Sequence, residues 1–403
     1  MTTQMLKSYK YRLYPTPKQK ELLDKHFGAR RFIYNLALET KRAAYYPNKV
    51  KLSCYDLIRQ LTPLKEDAAW LRDISTSCMQ QTIVEMDAAY IKWMRGECGV
   101  LRYRTKRSKQ TYKVTDRIKV DFENGILFMP KFRKKNGIKC IADRTYNGDA
   151  KSLHISKTTT GKYFASILVD VPTGKGLAVK HSINNAIGID LGLKDFAITS
   201  DGEVISNPMF LKNNIDRLKV LQRRAAKKQK GSANKAKANL KVARHYEKIT
   251  NRRSDFLHKL SSRLIDENQG GTICLETLNV KGMMKNHKLA GAIGDVSWSE
   301  FVRQLIYKGD WYGVNILRIG RFEPSSKTCT CGVVNKELTL KDRVWTCKHC
   351  GATHDRDVLA ANNIKKFAFK NLENSGSGWS GELVEMLSID KSTKQEDNLL
   401  IVK

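Results

Sequence analysis

The chain has 403 residues, of which 41% are hydrophobic, so it can bury a sizeable core and, at about 100–200 residues per domain, form two or more domains. Its 73 Lys and Arg against 40 Asp and Glu give a formal charge of +33. Self-repulsion on that scale destabilises a compact protein, which argues against an ordinary small-molecule enzyme and for a polyanionic partner, nucleic acid first. No apolar run approaches the roughly 18 residues of a membrane span, and MTTQMLKSYKYRLYPTP lacks the apolar stretch of a secretory signal. The expectation is a soluble, cytoplasmic chain with no membrane partner.

KSYKYRLY alternates like a strand. PTPKQKELLDKHFGARRFIYNLALETKRAAY reads as a helix: Thr16 and Pro17 suit a cap and first turn, and Leu23, Phe27, Tyr34 and Leu38 recur at helical spacing. A second helix spans Thr76 to Met94, with Ile83, Met86, Tyr90 and Met94 on one side. Residues 101–170 are β-rich. IKVDFENGILFM is a hairpin about Asn124-Gly125, and SLHISKTTTGKYFASILVDV is another. A strand ahead of the helices implies that they are inserted into a small β-barrel or sheet.

A boundary falls in GKGLAVKHSINN. AIGIDLGLKDFAITSDGEVIS then reads as three strands, with a turn at Asp201-Gly202. A long helical stretch from Arg217 to Arg263, a buried strand in GGTICLETLNV, a helix through Phe301 to Tyr312 and the strand VNILRIG follow. A cysteine cluster interrupts, and a helix resumes at DRDVLAANNIKKFAF. From Asn371 the chain turns acidic and Ser-Gly-rich, the composition of a flexible tail.

Three acids stand out. Asp190 sits between Ile189 and Leu191 in an apolar strand, where a charge is costly unless paired or metal-bound. Taken alone it reads equally well as a solvated strand end. Glu276 closes the apolar run ICLE. Asp357 opens a helix, where the dipole tolerates an acid, and simple capping accounts for its neighbour Asp355. Two strands ending in acids, with a third acid opening the last helix, is how a ribonuclease-H-like sheet assembles a catalytic carboxylate site. Hard oxygen donors suit Mg²⁺, and two ions about 3.5–4 Å apart would clamp both oxygens of a phosphodiester displacement.

Of nine cysteines, five are scattered (Cys54, Cys78, Cys98, Cys140 and Cys274) and read as small buried apolar residues. The other four form Cys329-Thr-Cys331, fifteen residues, then Cys347-Lys-His-Cys350. Four soft ligands at nearly zinc-ribbon spacing point to a structural Zn²⁺. The first knuckle is one residue short, which leaves open a degenerate metal-free loop, or His349 standing in for a poorly placed ligand.

The stretch from Arg217 to Arg263 holds sixteen Lys and Arg against two acids. Arg223, Arg224, Lys227, Lys228 and Lys230 are the candidate phosphate contacts. LRYRTKRSKQTYK mixes guanidinium and aromatic groups, so Arg102 and Arg104 are candidates to position phosphate or stack bases. An exposed sheet edge is the equally good bland reading.

These segments, in order, resemble a known family. YKYRLYPTPKQ, FGARRFIYN, GIDLGLKDFA, KKQKGSANKAKA, DFLHKLS, LETLNVKGM, WSEFVRQLIYKGDWYG, FEPSSKTC and WTCKHCGATHDRDVLAANNIK look like TnpB, the transposon-encoded nucleases related to single-nuclease type V CRISPR effectors. They cover nearly the whole chain except its tail. The resemblance implies an α+β multidomain fold. A β-barrel wedge domain (1–180) would carry a helical recognition insertion (about 15–97). A RuvC, ribonuclease-H-like α/β domain (181–370) would be interrupted by a zinc ribbon (about 326–352), and a flexible acidic tail (371–403) would follow. It implies that Asp190, Glu276 and Asp357 match the RuvC acids, with Mg²⁺ as cofactor. The implied partners are a guide RNA from the transposon end and target double-stranded DNA, with guide pairing supplying specificity. The setting would be a prokaryotic cytoplasm, at the nucleoid.

Two positions depart from the family pattern: the short Cys329–Cys331 knuckle, and Leu359 where D-R-D-x-N-A-A has Asn. The reading is therefore an RNA-guided DNA endonuclease with one RuvC site. A cleavage-deficient RNA-guided DNA-binding repressor and a guide-independent RuvC-type junction nuclease stand as alternatives.

Overall fold

The computed structural model describes residues 4–133, 136–172, 182–339 and 342–374. Most of the expected linker and the acidic tail beyond residue 374 lie outside them. The chain divides into two compact units, one within residues 1–174 and one within 175–388. No helix among the described residues is long and apolar enough to cross a membrane.

In the first unit, β1 (Gln4–Leu13) leads into α1 (Pro17–Asn48). The Thr16 hydroxyl accepts from the Gln19 N–H, and the Gln19 side chain accepts from the Thr16 N–H. This reciprocal cap satisfies two N–H groups that a helix start leaves without partners. Two short helices, α2 (Cys54–Arg59) and α3 (Leu61–Asp67), precede α4 (Thr76–Met94). Leu23, Phe27, Tyr34 and Leu38 of α1 share a core with Ile83, Met86 and Tyr90 of α4. Met94, expected on that face, is exposed where the helix ends. Arg30 pairs with Glu85 at 2.7 Å and Lys41 pairs with Asp87, tying the two helices together.

Six strands follow: β2 (Gln110–Val114), β3 (Lys119–Asp121), β4 (Ile126–Phe128), β5 (Ile138–Ile141), β6 (Asp149–Lys157) and β7 (Tyr163–Pro172). Gly125, at φ 61°, makes the turn between β3 and β4. The sheet runs β2-β6-β7-β1-β5-β4-β3. β1 lies antiparallel beside β7 from Gln4↔Pro172 to Leu13↔Tyr163. Among the described residues the order does not close on itself, so the sheet is an open half-barrel. All four helices fall between β1 and β2 in sequence.

The second unit begins with β8 (Ala186–Leu191), β9 (Asp195–Thr199) and β10 (Val204–Ser206). A helical hairpin, α5 (Ile215–Ala226) and α6 (Ala233–Glu267), precedes β11 (Thr272–Glu276). Then come α7 (Val280–Met283), α8 (Ala290–Val296), α9 (Trp298–Tyr312), β12 (Asn315–Ile319), the small pair β13 (Val344–Thr346) and β14 (Thr353–Asp355), and α10 (Arg356–Asn374). The main sheet has the order β10-β9-β8-β11-β12, with β8, β11 and β12 parallel and β8, β9 and β10 antiparallel.

The pleat sorts this sheet's side chains. Ile187, Ile189, Leu191, Ile273 and Leu275 meet Leu257, Leu260 and Leu264 of α6 and Phe301 and Leu305 of α9. Cys274 points the other way, against Ile364, Ala368 and Phe369 of α10. Two helical layers therefore sandwich the sheet.

Candidate active site and metal centre

Gly188 lies on the α10 face: a Cβ there would stand 1.9 Å from the Ala361 carbonyl oxygen. Asp190, two residues on, shares that face, because successive side chains alternate across a strand. Glu276, two residues beyond Cys274, shares it as well. β8 and β11 are parallel neighbours with Gly188 opposite Cys274 and Ile189 opposite Leu275. The next step in each strand sets Asp190 beside Glu276. The first turn of α10 brings Asp357 to the same place.

The three acids feel one another. Burial, then the charges of Glu276 and Asp357, push the Asp190 carboxyl up to about 7 against the pull of Arg356. Burial also raises Glu276. Asp357 is gripped by two guanidiniums: Arg343 donates to Oδ2 at 2.7 Å, and Arg356 donates to Oδ1 at 3.3 Å. Arg343 did not stand out in the sequence, because a single Arg on a polar loop carries no periodic signal, and Arg356 was legible only as the middle residue of the D-R-D motif. Asp355 has the capping role expected of it, accepting from the N–H groups of Asp357 and Val358, both at 3.0 Å.

Among the described residues, the four cysteines alone place three or more potential ligand atoms within 4.8 Å of one another. The acids converge without closing that tightly. Sγ–Sγ distances are 3.5 Å for Cys329–Cys350 and 3.8 Å for Cys331–Cys347. Four sulfurs about 2.3 Å from a tetrahedral ion would stand about 3.8 Å apart, so the donor set and its spacing fit a closed four-sulfur site despite the short knuckle. Burial raises the Cys329 thiol, but the Cys331 N–H and the His354 ring outweigh it and bring it down to about 5. His349 is exposed and outside the cluster; His354 is the histidine that reaches Cys329. Leu359 packs with Cys329, Leu338, Trp345 and Cys347 in a small core under the thiols. Asn363, also buried, donates to the carbonyls of Ser325 and Thr328 and anchors the approach to Cys329.

Of the scattered cysteines, Cys78, Cys140 and Cys274 are buried and Cys54 partly so, whereas Cys98 is exposed. The candidate basic residues Arg223, Arg224, Lys227, Lys228 and Lys230 are all exposed, on the last turn of α5 and the turn that joins it to α6. Arg102 is exposed too. Arg104 lies over the Tyr34 ring at 4.1 Å, and its backbone N–H donates to Asn35 at 2.7 Å. It ties its segment to α1.

An α/β unit with converging acids on one sheet face and a four-thiol module spliced in before α10, the last helix among the described residues, is the class that fold and site define. Family models match in three places: one described as a probable transposase at residues 166–287, a Cas12f1-like TNB domain at 298–364 and a helix-turn-helix domain at 1–49. In the last of these the structure has one strand and one long helix. A Streptomyces pristinaespiralis protein named "Putative RNA-guided DNA endonuclease" is 37% identical over 367 residues, 90% of each chain. Escherichia coli K12 "Putative RNA-guided DNA endonuclease InsQ" is 27% identical over 89% of this chain and 91% of its own. The "TnpB-like protein L770" of Acanthamoeba polyphaga mimivirus is 24% identical over 91% of this chain and 74% of its own. A Cas12f1–sgRNA–target DNA complex solved by cryo-EM aligns at a TM-score of 0.48 with 14% identity, covering 90% of this chain and 99% of that one. The chain belongs to the TnpB family.

Proposed function

We propose that this chain is an RNA-guided DNA endonuclease that hydrolyses target DNA at one RuvC-type site made by Asp190, Glu276 and Asp357. The observation that carries the reading is the side-by-side placement of Asp190 and Glu276 on parallel strands beneath the start of α10. Crowded, partly desolvated carboxylates repel each other, and a divalent cation offsets that repulsion. Their hard oxygens fit Mg²⁺, two ions in the full reading. Bound there, Mg²⁺ would supply Lewis-acid charge for phosphodiester hydrolysis.

The protein's own part is to hold three acids on rigid elements and to keep one sheet face closed by α10. The thiol cluster fits a structural Zn²⁺, with four protein ligands leaving no open position. In this reading residues 1–180 are the wedge, with the helices inserted at about 15–97 as the recognition module. Residues 181–370 are the RuvC domain, with the ribbon at about 326–352, and 371–403 are its tail. The guide RNA comes from the transposon end. The exposed α5–α6 turn and Arg102 contact nucleic-acid backbone, in a prokaryotic cytoplasm at the nucleoid.

Purification from the native genomic context followed by sequencing of bound nucleic acid tests the guide. A discrete RNA species is expected, and none would sink the guided reading. Asp190→Ala should abolish Mg²⁺-dependent DNA cleavage while RNA binding survives; undiminished cutting would show that the acids are misassigned. The grip of Arg343 and Arg356 on Asp357 favours a second reading, a guided DNA-binding repressor. Sequence-specific DNA binding with no cleavage at any Mg²⁺ concentration would select it.

A further inference from the structure

His354 stands apart from the four thiols yet touches one of them. Its Nε2 lies 3.0 Å from the Cys329 sulfur. That sulfur also has Cys350 Sγ at 3.5 Å and Thr330 Oγ1 at 3.8 Å, with the other two thiols of the cluster within 4.8 Å. His354 is not a member of the group whose ligand atoms all fall within 4.8 Å of one another. Two ligands of one tetrahedral ion, with metal–sulfur near 2.3 Å and metal–nitrogen near 2.0–2.1 Å, would be about 3.5 Å apart. The contact comes from outside the cluster, where the ring can meet the sulfur with an N–H in its Nε2-protonated tautomer.

The ring is held for this task. His354 pairs with Trp345 across β13 and β14, and the two rings pack at 5.1 Å. Trp345 belongs to the small core that also holds Cys329 and Leu359. On its other side, His354 adjoins the segment that starts α10. Asp355 caps that helix, and the Arg356 N–H donates to the Arg343 carbonyl at 2.7 Å. Four thiolates around a divalent ion carry excess negative charge, and an outer N–H donor lowers its cost and fixes the ligand's orientation.

We propose that His354 is the positioning residue of the thiol site: it donates to the Cys329 sulfur from outside the ligand set, raises the site's metal affinity, and links the loaded module to the turn that presents Asp357. The inference rests on the proposed zinc ribbon. Metal analysis of the wild-type chain tests that reading separately: about one zinc per chain is expected, and folded, zinc-free protein would overturn the ribbon itself.

The inference is tested in full-length wild type, His354→Ala and His354→Gln, by zinc competition with a chromogenic chelator and by the visible spectrum of the Co²⁺-substituted chains. His354→Ala should keep the four-sulfur Co²⁺ spectrum and lose about 10–100-fold in zinc affinity. His354→Gln, whose amide N–H reaches a similar point, should recover most of the loss. Amide exchange at residues 355–360 in the zinc-loaded chains should accelerate in His354→Ala and return toward wild type in His354→Gln. Wild-type affinity in His354→Ala, a Co²⁺ spectrum that changes from mixed sulfur–nitrogen to all-sulfur on substitution, or no rescue by Gln would each overturn it. If the Ala variant does not fold, the Gln variant still decides: it must match wild type within a few-fold.

Discussion

His26 is wholly enclosed within the first unit, stacked on Tyr112 with ring centroids 5.0 Å apart. One ring nitrogen donates to the Leu22 carbonyl at 2.8 Å, and the other accepts from the Ser75 N–H at 3.1 Å. That pairing needs the neutral ring, and burial holds its pKa down to about 4. An unfolded chain takes up the proton at about 6.5, so between these values the unfolded state binds more protons than the folded one. The stabilisation is complete above pH 6.5 and is lost as pH falls toward 4, by about 3 kcal/mol in all. Urea unfolding followed from pH 7 to 4 should show this slope, and His26→Gln should flatten it. An unchanged slope would place the titration elsewhere. Gly188 is a second residue whose identity is dictated by its surroundings. The clash that a Cβ there would make is with the Ala361 backbone carbonyl, which no rotamer change relieves. Gly188→Ala should cost about 3 kcal/mol, read as a lowered urea midpoint; a cost below about 1 kcal/mol would mean that α10 shifts freely.

At the scale of elements, legibility followed periodicity. α4 spans the residues expected for it, and α1 begins at the expected Thr16–Pro17 cap, because a 3.6-residue apolar stripe and a capping box are local signals. Both hairpins were readable from turn chemistry. α2 and α3 were not, being too short for a stripe to emerge. Asp190 and Glu276 were visible as charges in apolar runs, and strand parity alone sets them on one face. Arg343 and His354 were invisible: each acts through a contact made by a loop or a three-residue strand, where no pattern forecasts direction. Leu359 looked like a lost polar residue, yet it is buried under the thiols. Leu359→Asn should therefore weaken this small core by about 2 kcal/mol, since a buried amide without partners costs that much. Faster zinc loss to a chelator would report it, and unaltered release would mean that the amide finds a partner.

For the molecule as a whole, the charge of +33 is the property most remote from any single contact. Part of it is concentrated in the α5–α6 stretch, where Arg223, Arg224, Lys227, Lys228 and Lys230 stand in solvent on a helical hairpin whose base is fixed by Leu257, Leu260 and Leu264 in the core. If all five touch single-stranded RNA phosphates, replacing them with Gln should reduce the slope of log affinity against log salt by about 3–4. A filter-binding series in rising salt measures it, and an unchanged slope would remove the hairpin from the RNA surface.

The order in which the acids arrive has a consequence for synthesis on the ribosome. Asp190 and Glu276 emerge early, but Asp357 and the helix that covers their sheet face come after the thiol module. A nascent chain stalled or cut before residue 357 already carries the basic hairpin and two of the three acids. It lacks both the third acid and the cover over Cys274, Leu317 and Ile319. If the hairpin holds nucleic acid as proposed, such a fragment binds it without completing the acid set, and the three acids come together only with the last helix among the described residues.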